Sequence, residues 1–438
     1  MSGPKGPRTP ARRARRAAAR AITLLLCALL ALLPAGPAAA EGEGVQDQEW
    51  GLKAVNAKEA WKTTKGRGVT VAVLDTGVDS DHPDLRNNAR GGKDLLRMGA
   101  GKGDREWARH GTAMAGIIAG HGHGPNGRDG VIGVAPQARI LPVRVLLEDS
   151  DPQRRKARKA RGAALADGIR WAADHGADVI NLSLGDDSRS AHPDAREDAA
   201  VRYAQRKGAV VVASAGNGGE DGDHVSYPAA YPGVIAVAAV DRYGARAAFS
   251  TRRWYATVAA PGKDIVIADP DRTYYEGWGT SAACAFVSGA VALVRAAHPE
   301  LSPAQIKELI ADTARNTPEG GRSDAVGTGV VDPSAAIEMG SHLKPRKQRP
   351  RVHSYAEEHF GTGPGGGGGS SGWVATGAAV LGLLLIACAF AIRSGLSLRH
   401  LRLLRPRPTG PSAHSAVWRH DGSGGSRSED REDGRPAS

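Results

Sequence analysis

The sequence predicts a three-layer α/β/α domain with a mainly parallel sheet, followed by one C-terminal transmembrane helix. Three observations predict it. Short runs rich in Val, Ile and Ala end at Asp, Asn or Gly, as strands buried on both faces do. Helical stretches fall between these runs, and strand–helix alternation builds layered domains. Near the C-terminus, Trp373 to Ile392 is apolar and uncharged and just long enough to cross a bilayer.

The elements follow in order. Residues 1–40 read as a signal peptide: Arg8, Arg12, Arg13, Arg15, Arg16 and Arg20 precede the apolar run Ala21 to Leu33, and Pro37-Ala38-Ala39-Ala40 supplies a small-residue cleavage site. An uncleaved N-terminal anchor is the alternative, although the run is short for a span. Cys27 follows Leu26, which argues against a lipoprotein.

Residues 41–343 form the exported domain. Strands are expected over Val69 to Leu74, Asp178 to Leu184, Ala209 to Ala213 and Val234 to Val240. Helices are expected over Gly111 to Ala119, Ala163 to Asp174, Ala195 to Arg206 and Pro303 to Arg315, the last behind an N-cap at Ser302 with proline at its first position. Glu148 to Arg161 interrupts the pattern with Arg154, Arg155, Lys156, Arg158, Lys159 and Arg161. It reads as a solvated surface loop; the sharper readings are a docking site for an acidic partner or lipid, or a cleavage-prone loop.

Residues 344–372 are a Pro/Gly-rich linker, basic from Lys344 to Arg351 and glycine-only from Gly365 to Gly369. The membrane helix at 373–392 carries Trp373 at its interface. Arg393, Arg399, Arg402, Arg405 and Arg407 follow it, which puts the basic, disordered tail 393–438 in the cytoplasm and the domain outside the cell.

The net charge of +12 suggests a nucleic-acid binder only until it is mapped. Residues 41–343 carry 37 basic and 39 acidic residues, so the surplus lies in the flanks, without interleaved aromatics. No nucleic-acid partner is expected. The cysteines are Cys27, Cys284 and Cys388, so the domain holds one cysteine and no internal disulfide. No Cys/His spacing supports zinc, and no acidic loop has the spacing of a calcium loop; no metal and no cofactor are expected.

Four segments carry chemistry. Val71-Ala-Val-Leu-Asp75-Thr-Gly places a carboxylate at the C-terminal end of a strand, where open α/β sheets hold their reactive groups. His110-Gly-Thr-Ala-Met-Ala-Gly opens a small-residue helix; His121 and His123, just beyond it, read as structural or exposed. Ala213-Ser-Ala-Gly-Asn217 ends another strand with an amide able to donate to a developing oxyanion. Gly279-Thr-Ser281 opens a long apolar helix running to about Ala297, and a helix N-terminus favours negative charge. Taken singly, each has a bland reading: a turn Asp, a structural His, a turn Asn, an N-cap.

Together they are specific. Asp, His and Ser come in that chain order, with Asn between His and Ser. The set resembles the subtilisin-like serine proteases, peptidase family S8, over roughly Trp50 to Met339. The resemblance implies a subtilisin-like fold and a serine endopeptidase acting through an acyl-enzyme. In it Ser281 is the nucleophile, His110 the general base and acid, and Asp75 the group that orients the imidazole. Asn217, with the Ser281 backbone N–H, forms the oxyanion hole. Ser183, Leu184 and Gly185 pair with an extended protein or peptide substrate, and Ala213, Ser214, Ala215 and Gly216 line the primary pocket. Asp186 and Asp187 leave a preference for basic residues open.

The whole layout resembles the mycosins, membrane-anchored proteases associated with type VII secretion in actinobacteria. That implies a membrane tether and a type VII secretion membrane complex as partner. The stretch between Ala40 and Trp50 leaves no room for a large inhibitory prodomain. Two departures stand out. Ala285 replaces the usual proline four residues after the serine, beside Cys284, and the disulfides common in mycosins are absent. The alternative function is a structural or partner-binding component of a secretion complex in which catalysis is dispensable.

Overall fold

The computed structural model describes residues 44–347 apart from 159 and 160. The expected signal peptide, most of the linker, the membrane helix at 373–392 and the tail lie outside the described residues.

The helices are α1 (Trp50–Ala54), α2 (Ala57–Ala60), α3 (Arg109–Ala119), α4 (Arg154–Arg158), α5 (Arg161–Asp174), α6 (Ala195–Arg206), α7 (Thr280–Ala297), α8 (Pro303–Asp312) and α9 (Pro333–Gly340). The strands are β1 (Thr70–Asp75), β2 (Lys93–Asp94), β3 (His121–His123), β4 (Asp129–Ile132), β5 (Arg139–Arg144), β6 (Val179–Leu182), β7 (Val210–Ser214), β8 (Ile235–Val240), β9 (Ala256–Pro261), β10 (Ile265–Ala268) and β11 (Tyr274–Gly277).

A seven-stranded sheet runs β2-β5-β1-β6-β7-β8-β9 with every neighbouring pair parallel. The predicted three-layer fold is therefore present. Strands β6 to β9 are buried at every residue, because helices cover both faces. One core layer packs α3, α7 and α8 on the sheet, with Ile118, Leu293 and Ile306 fully buried. The other packs α5 and α6 against the opposite face through Leu165, Ile169 and Val201. Each such side chain contributes about 1.5–3 kcal/mol of transfer free energy.

The topology fixes the site. After β1 the chain builds β5 on one side and then crosses to β6 on the other. The C-terminal ends of β1 and β6 thus flank a switch point, where a crevice opens in open α/β sheets.

Helix α7 is long and apolar enough to span a bilayer, but 83% of its apolar window is buried. It is the central helix of one core layer, and its polarity follows from that position.

Several sequence expectations need correction. Helix α3 begins at Arg109, two residues early, so His110 lies inside its first turn. Helix α8 starts as expected, with a Ser302–Gln305 capping box, but stops at Asp312 rather than Arg315. Arg315 instead pairs with Val330 in a β-bridge. The expected surface loop 148–161 contains α4, whose Ala157 is buried, and Arg154 is ion-paired to Asp149 at 2.5 Å. Asp151 in the same stretch is buried and accepts the Ala100 N–H at 2.7 Å. The segment is packed against the domain, not simply solvated.

Candidate active site

Asp75 ends β1 and is fully buried. Its Oδ1 accepts the Thr76 N–H at 2.7 Å. The His110 ring meets it with Nδ1 2.8 Å from Oδ1 and 2.9 Å from Oδ2. This contact needs α3 to lie close against the turn after β1. Gly111 permits the approach: a Cβ there would stand 1.9 Å from the Gly77 carbonyl oxygen. The Gly111 N–H donates to the Thr76 hydroxyl at 3.1 Å, tying the two elements together.

Helix α3 has no N-cap side chain of its own, since Ala108 stands at that position in a left-handed conformation. The cap comes from Glu148, in the loop after β5, which accepts the His110 backbone N–H at 2.9 Å. An acidic group at a helix N-terminus is favourable there. Burial raises the Glu148 pKa, against hydrogen bonds from Thr76 and His110. Burial likewise pulls the His110 pKa down, but the charge and hydrogen bond of Asp75, aided by Glu148 and Asp149, outweigh it. The imidazole is pushed up to about 9.

Ser281 is the second residue of α7, and its Oγ donates to the Ser183 carbonyl at 3.2 Å. His110 and Ser281 line the same cleft, of about 340 Å³, with no hydrogen bond between them. Beneath the serine lies a buried polar network. Ser183 Oγ donates to the Ser281 carbonyl at 2.9 Å, and Asn181 Nδ2 donates to Ser183 Oγ at 3.0 Å. Asn181 Oδ1 accepts from Ser288 Oγ at 2.9 Å and from Cys284 Sγ at 3.3 Å. Cys284 is thus a buried donor, and burial pushes its pKa up to about 12, far from thiolate chemistry. With Ala285 also fully buried, α7 runs unbroken from Thr280 without the proline.

Asn217 follows β7 and reaches the same point. Its Oδ1 accepts from the Thr280 N–H at 2.9 Å and from Thr280 Oγ1 at 2.8 Å. Thr280 is therefore an anchor for the amide, not a plain cap. Gly279 marks the space between the donors. A Cβ there would lie 3.7 Å from Asn217 Nδ2 and 3.7 Å from the Ser281 nitrogen, and the residue has φ +143°.

Asp75, His110, Asn217 and Ser281 are thus brought together from four segments of chain. Ser183, Leu184, Gly185, Ser214 and Gly216 line the cleft. Ala213 and Ala215 do not; both are fully buried in the α5–α6 core layer. The first faces away because it sits within β7, where alternate residues take opposite faces. Sequence reasoning missed Glu148, the Asn181 network and Trp278. Trp278 is 68% exposed, lines the cleft and packs on Phe249 with ring centroids 4.9 Å apart. An exposed tryptophan two residues before a glycine-opened helix N-terminus was the available signal.

Residues 66–329 match the profile of the subtilase family, peptidase S8. Subtilisin BL of Lederbergia lenta is 38% identical over 295 residues, covering 67% of this chain and 99% of that protein. Fervidolysin of Fervidobacterium pennivorans is 36% identical over 323 residues; the match covers 68% of this chain and 44% of that longer protein. Among solved structures, MycP1 from Mycobacterium smegmatis superposes with TM-score 0.58 at 31% identity, covering 72% of this chain and 89% of that one. The MycP3 protease from the type VII (ESX-3) secretion system gives TM-score 0.55 at 32% identity, with 66% and 88% covered.

Proposed function

The chain belongs to the subtilase family and is a serine endopeptidase, and from that premise we propose that Asp75, His110 and Ser281 form its catalytic triad in a domain tethered to the outer face of the cell membrane. The observation that carries the reading is the double contact of His110 Nδ1 with buried Asp75, in the cleft that Ser281 lines. Asp75 fixes the tautomer that leaves His110 Nε2 free to accept a proton. Ser281 Oγ turns from the Ser183 carbonyl to His110 and attacks the scissile carbonyl carbon as its proton passes to Nε2. The oxyanion lies between Asn217 Nδ2 and the Ser281 N–H, beside Gly279. Collapse expels the amine, which takes the proton from His110, and water then repeats the sequence on the acyl-enzyme. An extended substrate lies along Ser183 to Gly185 and Ser214 to Gly216, adding a strand.

The sequence supports the tether: it reads as a signal at 1–40, a protease domain over 41–343, a linker to 372, a span at 373–392 and a basic tail expected in the cytoplasm. Likeness to MycP3, a protease from a type VII secretion system, supports a place beside such a membrane complex. A membrane-impermeant fluorophosphonate probe, applied to intact cells expressing the full chain, tests these points at once. Label is expected in the membrane fraction and absent from Ser281→Ala. A folded wild type that takes no label while co-purifying with a membrane complex favours the scaffold reading instead.

The electrostatics make a further prediction. The neutral imidazole is the active base, so raising its pKa moves the acid limb of activity upward. kcat/KM is expected to rise with pH through a midpoint above 6.5, toward 9. Glu148→Gln keeps an acceptor for the His110 N–H but removes a negative charge, so the limb moves to lower pH. A pH profile whose acid limb is unmoved by Glu148→Gln refutes this role for the carboxylate.

A further inference from the structure

The catalytic reading leaves a buried polar cluster without a task. Asn181 and Ser183, at the C-terminal end of β6, and Cys284 and Ser288, on α7, are all buried beneath Ser281. Cys284 and Ser288 stand one helical turn apart, and both donate to Asn181 Oδ1, at 3.3 and 2.9 Å.

These donors fix the direction of the amide. Burial pushes the Cys284 pKa up to about 12, so the thiol keeps its proton and faces Asn181 as a donor. An amide has one acceptor oxygen and two N–H donors, and sulfur is a weak acceptor, so the oxygen faces α7. Nδ2 is thereby turned to Ser183 Oγ, to which it donates at 3.0 Å. A hydroxyl that accepts there has its own proton to place elsewhere. Two acceptors are in reach: Asn181 Oδ1 at 3.4 Å, which already takes two donors, and the Ser281 carbonyl at 2.9 Å. The proton goes to Ser281. Donation therefore runs one way, from α7 through Asn181 and Ser183 back to the start of α7.

That start needs holding. Helix α7 begins without a side-chain cap, behind Gly279 at φ +143°. Asn217 holds Thr280, and Ser183 holds the Ser281 carbonyl. The same serine carries Oγ and the N–H proposed for the oxyanion, so a shift of its carbonyl moves both.

Resting on the reading of Ser281 as the nucleophile, we propose that Asn181 is a positioning residue for the reaction, directing the Ser183 hydroxyl to the Ser281 carbonyl and so holding the nucleophile on β6. Asn181 is fully buried and does not line the cleft, so it touches no substrate. Cys284 and Ser288 serve it by fixing the amide.

The test uses the full-length protein and the variants Asn181→Ala, Ser183→Ala, their double and Asn181→Asp, with thermal melts to show that each folds. On a peptide anilide, Asn181→Ala and Ser183→Ala are each expected to lose roughly 5- to 50-fold in kcat, with KM within about twofold. The double variant is expected to be little worse than either, because both act through one contact. Asn181→Asp gives the sharper readout. A protonated carboxyl can donate to Ser183 as Nδ2 does, whereas a carboxylate only accepts and draws the hydroxyl away from Ser281. The ratio of variant to wild-type kcat is therefore expected to fall as pH rises through the raised pKa of a buried Asp. A mere charge effect on His110 runs the other way, since a nearby carboxylate holds the imidazolium and cuts activity most at low pH. Losses confined to KM, multiplicative losses in the double variant, or an Asn181→Asp ratio that is flat or rising with pH overturn the proposal. Should Asn181→Ala not fold, Ser183→Ala and Asn181→Asp carry the kcat and pH readouts. Hydrogen–deuterium exchange over the first turn of α7, in a Ser281→Ala background, reads the positioning without turnover. Exchange is expected to be faster in Asn181→Ala and Asn181→Asp, and unchanged exchange overturns the proposal. Faster exchange together with a wild type that hydrolyses no peptide upholds the contact and points the failure at the triad instead.

Discussion

Ser281→Ala is expected to lower kcat for peptide hydrolysis by about 10⁶-fold, a scale set by loss of the serine in subtilisin, a relative of this chain. His110→Ala should cost about as much, and the double variant little more than either single one. The reason is geometric. Asp75 holds Nδ1 through both carboxylate oxygens, so the imidazole has one orientation in which to take the serine proton. With the serine gone there is no proton to take, and with the histidine gone the serine is an ordinary alcohol. Groups that act in one step are not additive. The measurement is kcat on a peptide anilide for the two single variants and the double, with thermal melts to show that each folds. Independent, multiplicative losses, or Ser281→Ala retaining a percent of activity, would sink the triad assignment. Residual rate above water is expected in all three, because the oxyanion donors and the binding cleft remain.

How much of this site was legible in the sequence follows from how each residue is held. Asp75 ends a strand, Asn217 follows three residues after one, and Ser281 opens a helix. Such ends are marked locally, by an apolar run that stops or a glycine that turns. His110 was legible because Gly111 and the small residues behind it report the close approach of α3. Glu148 was not. It caps a helix 38 residues away in the chain, and nothing near it announces an N-terminus that lacks its own cap. Asn181 sat inside an expected strand, where its side chain reads as a substrate-strand residue rather than the acceptor for Ser288 and Cys284. Strand β5 escaped notice because Pro142 interrupts it. The proline is tolerated since its outer neighbour β2 pairs only at Val143 and Arg144. Strand β9 escaped because its alanines carry little strand preference. The motif assigns Ala213 and Ala215 to the pocket, but only the residues between and after them, Ser214 and Gly216, reach it. A motif supplies the segment; the pleat selects which residues of it face the substrate.

Asn217→Ala is expected to lower kcat by about 10²- to 10³-fold with KM little changed, the magnitude again being one established on subtilisin. The structure gives the reason for the split. Thr280 holds the amide oxygen through its N–H and its hydroxyl, which turns Nδ2 toward the cleft. A Gly279 side chain would stand 3.7 Å from each nitrogen, at the edge of the space we propose for the oxyanion. A planar carbonyl oxygen entering the cleft makes little use of that space, whereas the oxygen of a tetrahedral intermediate moves into it. Binding realised only in the transition state appears in kcat, not in KM. Gly279→Ala therefore serves as the companion variant. On the proposed reading its methyl group crowds the oxyanion position, and its φ of +143° is one that alanine rarely adopts. It should lose kcat at least as severely as Asn217→Ala while Asn217 itself is intact, and the double variant should be close to the worse of the two. A peptide aldehyde, which forms a tetrahedral adduct on Ser281, should lose affinity in both variants far more than a non-reactive peptide of the same sequence. Equal weakening of the two ligands would mean that Asn217 positions substrate rather than its transition state, and would move the oxyanion site away from Gly279.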